Sequence, residues 1–127
     1  MTDRLEIERL VSELHAARIE GRLDDLCGLF AADATFKIAG ASDGKPINIS
    51  ATGAREIRSW LSMMIKTFRL TGYARLAVII EGNQAAAQWR ASIHSKITGV
   101  MVATELVDLI EVRAGRIAAY TELFVPC

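Results

Sequence analysis

From residue 3 to residue 20, apolar side chains return every third or fourth position, at Ile7, Leu10, Val11, Leu14 and Ala17, which lays them along one face of a helix. Asp3 followed by Glu6 has capping-box spacing with Asp in place of Ser or Thr, and Gly21 fits the left-handed residue that ends such a helix. A short second helix is predicted over residues 23–31, with Leu26, Leu29 and Phe30 on one face and Asp24 and Asp25 early, where negative charge suits a helix N-terminus. The pattern then becomes extended at Thr35-Phe36-Lys37-Ile38 and Ile47-Asn48-Ile49, separated by the turn-forming Ala41-Ser42-Asp43-Gly44-Lys45-Pro46. After Thr52-Gly53, the residues Ile57, Trp60, Leu61, Met64, Ile65 and Phe68 form the stripe of a third helix. Residues 73–81, 85–96, 100–112 and 116–125 read as four successive antiparallel strands, parted by Gly82-Asn83, Thr98-Gly99 and Ala114-Gly115. Helices first and a meander last predict an α+β fold with helices on one face of a curved sheet.

Side chains alternate faces along a strand, so each late strand divides into two sets. On the fourth strand Trp89, Ala91 and Ile93 oppose Arg90, Ser92, His94 and Lys96; on the fifth Val102, Thr104, Leu106, Asp108 and Ile110 oppose Met101, Ala103, Glu105, Val107 and Leu109. Both sets are partly apolar. The sheet is therefore expected to bury both faces, one under the helices and the outer one in a homodimer.

Tight turns at Thr98-Gly99 and Ala114-Gly115 would align Arg90, Val107 and Glu122 in one row and Ser92, Glu105 and Phe124 in the next, with Leu109 beside Tyr120. One face then collects Arg90, Ser92, His94, Glu105, Tyr120 and Glu122 within a frame of Met101, Val107, Leu109 and Phe124, the composition of a small-molecule pocket. A carboxylate among apolar side chains can serve as acid or base near neutrality, His is poised there, and Arg can hold an oxyanion. Proton transfer on a carbonyl compound fits this set. Two blander arrangements stay open: a solvated strand face, or a buried ion pair of Arg90 with Glu105 or Glu122 that only supports the sheet.

Composition narrows the field. The 127 residues are 51% apolar and carry fifteen basic against fifteen acidic side chains, enough for one core and without the positive field that nucleic acid binding requires. The N-terminus has no apolar signal region and no window approaches a membrane span, so a cytoplasmic protein is expected. Cys27 and Cys127 have neither metal nor disulfide spacing and are expected to be free thiols; no Cys–His nucleophile pair, phosphate loop or dinucleotide fingerprint is present, and no metal or cofactor is implied. His15 lies beside the apolar stripe of the first helix, where a boundary role is the default reading.

The stretches Gly21-Arg22-Leu23-Asp24, Leu29-Phe30-Ala31-Ala32-Asp33-Ala34-Thr35, Thr104-Glu105-Leu106-Val107-Asp108-Leu109-Ile110-Glu111 and Tyr120-Thr121-Glu122-Leu123-Phe124, in this order, resemble the SnoaL-like branch of the nuclear transport factor 2-like superfamily, which also contains ketosteroid isomerase. The resemblance spans essentially the whole chain. It implies a single domain over residues 1–127, built as a cone in which a curved mixed sheet wraps three helices around a deep apolar pocket, usually in a dimer. It is poor evidence for any one reaction, since this fold hosts isomerases, dehydratases, cyclases, epoxide hydrolases and binding proteins. The general-base Asp of ketosteroid isomerase falls on Ile38, its oxyanion-hole Tyr on Leu14 and its oxyanion-hole Asp on Val107, all apolar, so that machinery is missing. The same matching implies that the late strands line the pocket. The expectation is thus Glu122 or Glu105 as acid or base and His94 as proton relay. Arg90, Ser92, Tyr120, Val107, Phe124, Leu14, Ile38 and Trp60 are expected around the ligand. The expected ligand is a small apolar carbonyl or hydroxyl compound undergoing isomerisation, dehydration or cyclisation. The alternative is a ligand-binding or interaction module without turnover.

Overall fold

A computed structural model describes residues 3–42 and 44–126. Helix α1 runs Arg4–Glu20; the Asp3 carboxylate accepts from the backbone N–H of Leu5, and Gly21 closes the helix at φ 72°, donating its N–H to the carbonyls of Ala17 and Arg18. Helix α2 spans Leu23–Gly28, shorter than the apolar pattern suggested because Phe30 already belongs to strand β1, Phe30–Ser42. Strand β2 covers Lys45–Thr52 and helix α3 Ala54–Thr67. Four long strands follow, β3 Phe68–Glu81, β4 Gln84–Ser95, β5 Met101–Arg113 and β6 Arg116–Pro126. The expected features at Met1-Thr2, Asp43 and Cys127 lie outside the described residues.

The strands form one mixed sheet in the order β2-β1-β6-β5-β4-β3, in which only β1 and β6 run parallel. Ile7, Val11, Leu14 and Ala17 of α1, Leu26 of α2 and Ile57 and Leu61 of α3 pack with Phe36, Ala87, Ile110, Val112 and Tyr120 from the inner face of the sheet in one core. No helix among the described residues is long and apolar enough to cross a membrane.

Bulges set both curvature and side-chain facing. An extra residue in β6 shifts the pairing from Val112 opposite Ile117 to Glu111 opposite Ala119, leaving Ala118 unmatched. The expected row of Leu109 beside Tyr120 is thereby corrected by one residue: Ile110 faces Tyr120, Asp108 faces Glu122 and Leu106 faces Phe124. Between β4 and β5 the turn is longer than a two-residue hairpin, so Arg90 pairs with Glu105 and not with Val107, a shift of two that preserves facing. The one-residue shift in β6 splits the expected polar cluster. Tyr120, Glu122 and Phe124 share the inner face with Asp108, while Arg90, Ser92, His94, Glu105 and Val107 stand on the outer face.

Candidate functional site

The inner face gathers its polar groups from α1, β3, β4, β5 and β6. His15 and Arg18 are three residues apart and so project from one side of α1, continuing the stripe of Val11 and Leu14. Opposite them, Trp89, Asp108, Tyr120 and Glu122 point inward. Tyr73 reaches the same place because β3 carries an extra residue between Thr71 and Ala74, where Gly72 adopts φ 64°. Beyond that bulge the alternation is inverted, so that Tyr73 and Arg75 face α1, Tyr73 hydrogen bonding to His15 and Arg75 to Ser12.

These side chains form a continuous hydrogen-bonded set. The Arg18 guanidinium forks onto the Glu122 carboxylate, its Nη1 donating to Oε2 and its Nη2 to Oε1 at 3.2 Å. The Tyr120 hydroxyl lies 2.8 Å from Glu122 Oε2 and 3.1 Å from Asp108 Oδ1, bridging the two carboxyl groups. Asp108 Oδ2 accepts from Trp89 Nε1 at 3.0 Å and is 2.8 Å from His15 Nε2. His15 Nδ1 is in turn 2.8 Å from the Tyr73 hydroxyl. Arg18 also lies over the Trp89 ring, 5.4 Å from its centre, and Tyr120 stacks on Phe36. Among the described residues no buried side-chain polar atom lacks a partner.

The electrostatics follow from burial. Asp108 is fully buried, which pushes its carboxyl above the usual range; Glu122 opposite adds to the rise, while His15 and Arg18 pull the other way. Burial likewise drives the Tyr120 phenol well above its ordinary value, reinforced by the negative charge of Asp108 and Glu122. Burial alone would lower Arg18, but Glu122, Tyr120 and Asp108 more than offset it and keep the guanidinium charged. Burial raises the Cys27 thiol, which leaves it short of the thiolate a nucleophile needs.

Beside this set opens a cavity of about 570 Å3. Its walls are apolar, with Ile38, Ile49, Leu61, Met64, Leu70 and Phe124 prominent, and Ser42, Ser95, Thr98 and Thr104 complete the lining as its uncharged polar residues. Its charged lining residues are Arg18 and Glu122. Of the residues expected around a ligand, Ile38, Phe124 and Glu122 line this cavity; Tyr120 stands just behind Glu122. Leu14 is packed in the core, and Trp60, half-buried, packs against it rather than into the cavity. On the outer face, His94 bonds to Thr71 at 2.7 Å and Glu105 accepts from Gln88, so neither reaches Glu122. Arg18, His15, Asp108, Trp89 and Tyr73 were not among the expected site residues. Their trace in the sequence is a polar residue inside an apolar set: His15 and Arg18 in the stripe of α1, Asp108 between Leu106 and Ile110.

Residues 11–120 match the SnoaL-like domain, and the chain belongs to that family. A Bacillus subtilis protein provisionally assigned as an isomerase is 21% identical, with a TM-score of 0.82 over 98% of this chain and 89% of that one. A nuclear transport factor 2-like protein from Burkholderia xenovorans is 17% identical, with a TM-score of 0.80 over 98% and 92%. An epoxide hydrolase of Mycobacterium tuberculosis is 16% identical, with a TM-score of 0.73 over 94% and 83%. At these identities the likeness is one of fold. No curated protein matches the sequence significantly.

Proposed function

We propose that the chain binds a small, largely apolar compound carrying one oxygen function in the cavity and moves a proton at that function through Glu122. The observation that carries the reading is the placement of one ion pair, Arg18–Glu122, as the charged part of an otherwise apolar cavity. A pocket of this kind orients its ligand by the few polar groups it has. The Arg18 guanidinium keeps donors beyond those given to Glu122 and can hold a carbonyl, hydroxyl or epoxide oxygen. Glu122 then stands beside the reacting atoms as acid or base. Isomerisation, dehydration and aldol-type cyclisation all fit this arrangement, and the varied reactions of the fold leave room for each.

A second reading has its own support. Every charge at the cavity floor is partnered, which suits a binding protein that holds a ligand without turning it over. One experiment separates them: small apolar ketones, alcohols and epoxides are screened by thermal shift, and binders are followed for chemical change with the wild type and Glu122→Gln. Acid–base catalysis predicts turnover that Glu122→Gln abolishes while the fold and ligand binding persist. Turnover unchanged by Glu122→Gln removes Glu122 from the chemistry, and binding without turnover establishes the binding module.

We also propose that a second copy covers the outer sheet face. Ile79, Leu109, Leu123 and Val125 are exposed there, too many apolar side chains in neighbouring rows for a face left in water.

A further inference from the structure

We propose that Tyr73, His15, Asp108 and Tyr120 form a proton relay that joins solvent on the α1 side of β3 to Glu122 in the cavity. This inference rests on the reading of Glu122 as the acid or base of the pocket and names how its proton is supplied.

The geometry is a single file of five groups, each able to accept a proton on one atom and release one. From Tyr73 Oη to His15 Nδ1 is 2.8 Å, from His15 Nε2 to Asp108 Oδ2 2.8 Å, from Asp108 Oδ1 to Tyr120 Oη 3.1 Å, and from Tyr120 Oη to Glu122 Oε2 2.8 Å. The file enters at the imidazole by one nitrogen and leaves by the other, and crosses Asp108 from one carboxyl oxygen to the other. The file is open only at its ends, where Tyr73 is 37% exposed and Glu122 lines the cavity; between them His15 is 2% exposed and Asp108 0%. Trp89 Nε1 touches the file at Asp108 Oδ2 but is a donor without a lone pair, hence a side branch. Arg18 holds Glu122 and stays charged, so it fixes the inner end without carrying the proton.

Proton counting gives the file a direction. Tyr120 has one hydroxyl proton and two carboxyl neighbours, so it can donate to only one of them. All contacts are satisfied together when Tyr73 donates to His15 Nδ1, His15 Nε2–H to Asp108 Oδ2, a protonated Asp108 Oδ1–H to Tyr120, and Tyr120 to Glu122. This arrangement also keeps the buried set neutral, with Arg18 and Glu122 as its one ion pair. A proton arriving from water on the Tyr73 oxygen then drives the Tyr73 proton to Nδ1. The Nε2 proton passes to Oδ2, the Oδ1 proton to the Tyr120 oxygen, and the Tyr120 proton to Glu122 Oε2. Four bonds to hydrogen inside the file break and five form, the fifth with the proton that entered from water, and Glu122 is protonated. Each donor has become an acceptor, and a proton taken by Glu122 from the ligand and passed back through Tyr120, Asp108, His15 and Tyr73 to water restores the first arrangement.

The test uses solvent exchange in ligand-free, isotope-labelled protein. The Trp89 Nε1–H and His15 Nε2–H bond to the same oxygen of Asp108 and are comparably buried, so local opening exposes both together and, once each rate is divided by that of the free indole or imidazole, gives both one value. The relay has two ends, solvent at Tyr73 and the cavity at Glu122. It predicts that, each rate taken relative to that of the free side chain, the His15 proton exchanges at least about tenfold faster than that of Trp89. The excess persists in Tyr73→Phe and in Tyr120→Phe, each cutting one end, and vanishes in the double variant. Equal relative rates in the wild type overturn the relay. Collapse of the excess in Tyr120→Phe alone overturns the inlet at Tyr73, and collapse in Tyr73→Phe alone overturns the link to Glu122. Because Trp89 is measured in the same sample, any loosening of a variant affects both probes alike. The measurement needs no ligand, so its failure leaves the cavity reading standing, and failure to find a ligand leaves the relay standing.

Discussion

Asp108 and Glu122 face each other across β5 and β6, and the molecule surrounds these two adjacent buried carboxyls with four donors, while the proposed relay requires Asp108 in its acid form. A carboxyl raised above its unfolded value keeps its proton in the folded chain where the unfolded chain has lost it. Its contribution is complete below the ordinary Asp value of about 3.9 and is lost as pH climbs toward the raised one. In Asp108→Asn the amide oxygen can accept from His15 and Trp89 while the NH2 faces Tyr120, so the variant should fold. Its urea midpoint should lose the decline with pH that Asp108 imposes on the wild type, so that the variant gains on the wild type as pH rises. A gap that does not grow with pH refutes the protonated Asp108. Why the site was only half legible is visible in the same residues. Glu122 and Tyr120 are expected from the cross-strand rows that tight turns would give and from the family resemblance, and both meet at the inner face although the rows themselves are shifted. Asp108 was passed over because the strand set containing it, Val102, Thr104, Leu106 and Ile110, reads as plain core.

The elements were largely legible because periodicity depends on local spacing: all three helices and six strands follow the apolar pattern, with ends displaced by a few residues. Facing was not, because it depends on single inserted residues that leave no mark in the pattern. Ala118 is one such residue: were it paired in register rather than bulged, Tyr120 would lie opposite Leu109 and stand with Glu122 on the outer face. The adjoining turn carries a cost of its own, since Ala114 sits at φ 51° ahead of Gly115 at φ 77°. Two positive φ values in a two-residue turn favour Asn or Gly first. Ala114→Gly should therefore raise stability by about 0.5–1 kcal/mol in denaturant titrations, the strain relieved exceeding the extra freedom of the unfolded chain. Gly40 is the opposite case. A Cβ there would lie 2.6 Å from the Phe124 carbonyl oxygen and ring, on the one parallel pairing of the sheet. Gly40→Ala should cost at least about 2 kcal/mol and lower the thermal midpoint accordingly.

Taken as a whole, the chain presents a sheet with a polar network and cavity inside and an apolar strip outside. If a second copy covers the strip, sedimentation should give a dimer. Leu109→Lys with Leu123→Lys should then give a folded monomer, because both side chains are exposed in the single chain and carry no core packing. A wild-type monomer at micromolar concentration would count against the covered face.

The pair at the cavity floor joins residues 104 positions apart, α1 near the start of the chain and β6 near its end. Synthesis delivers α1 long before its partners, since His15 waits for Asp108 and Arg18 for Glu122. Until then the helix has two polar side chains on the face it must bury, which is unfavourable without partners. A nascent chain therefore holds α1 undocked until β5 and β6 have been made, and the native core closes in one late step. Fragments ending ahead of Glu122 should be caught by proteases and chaperones rather than accumulate as partly folded intermediates.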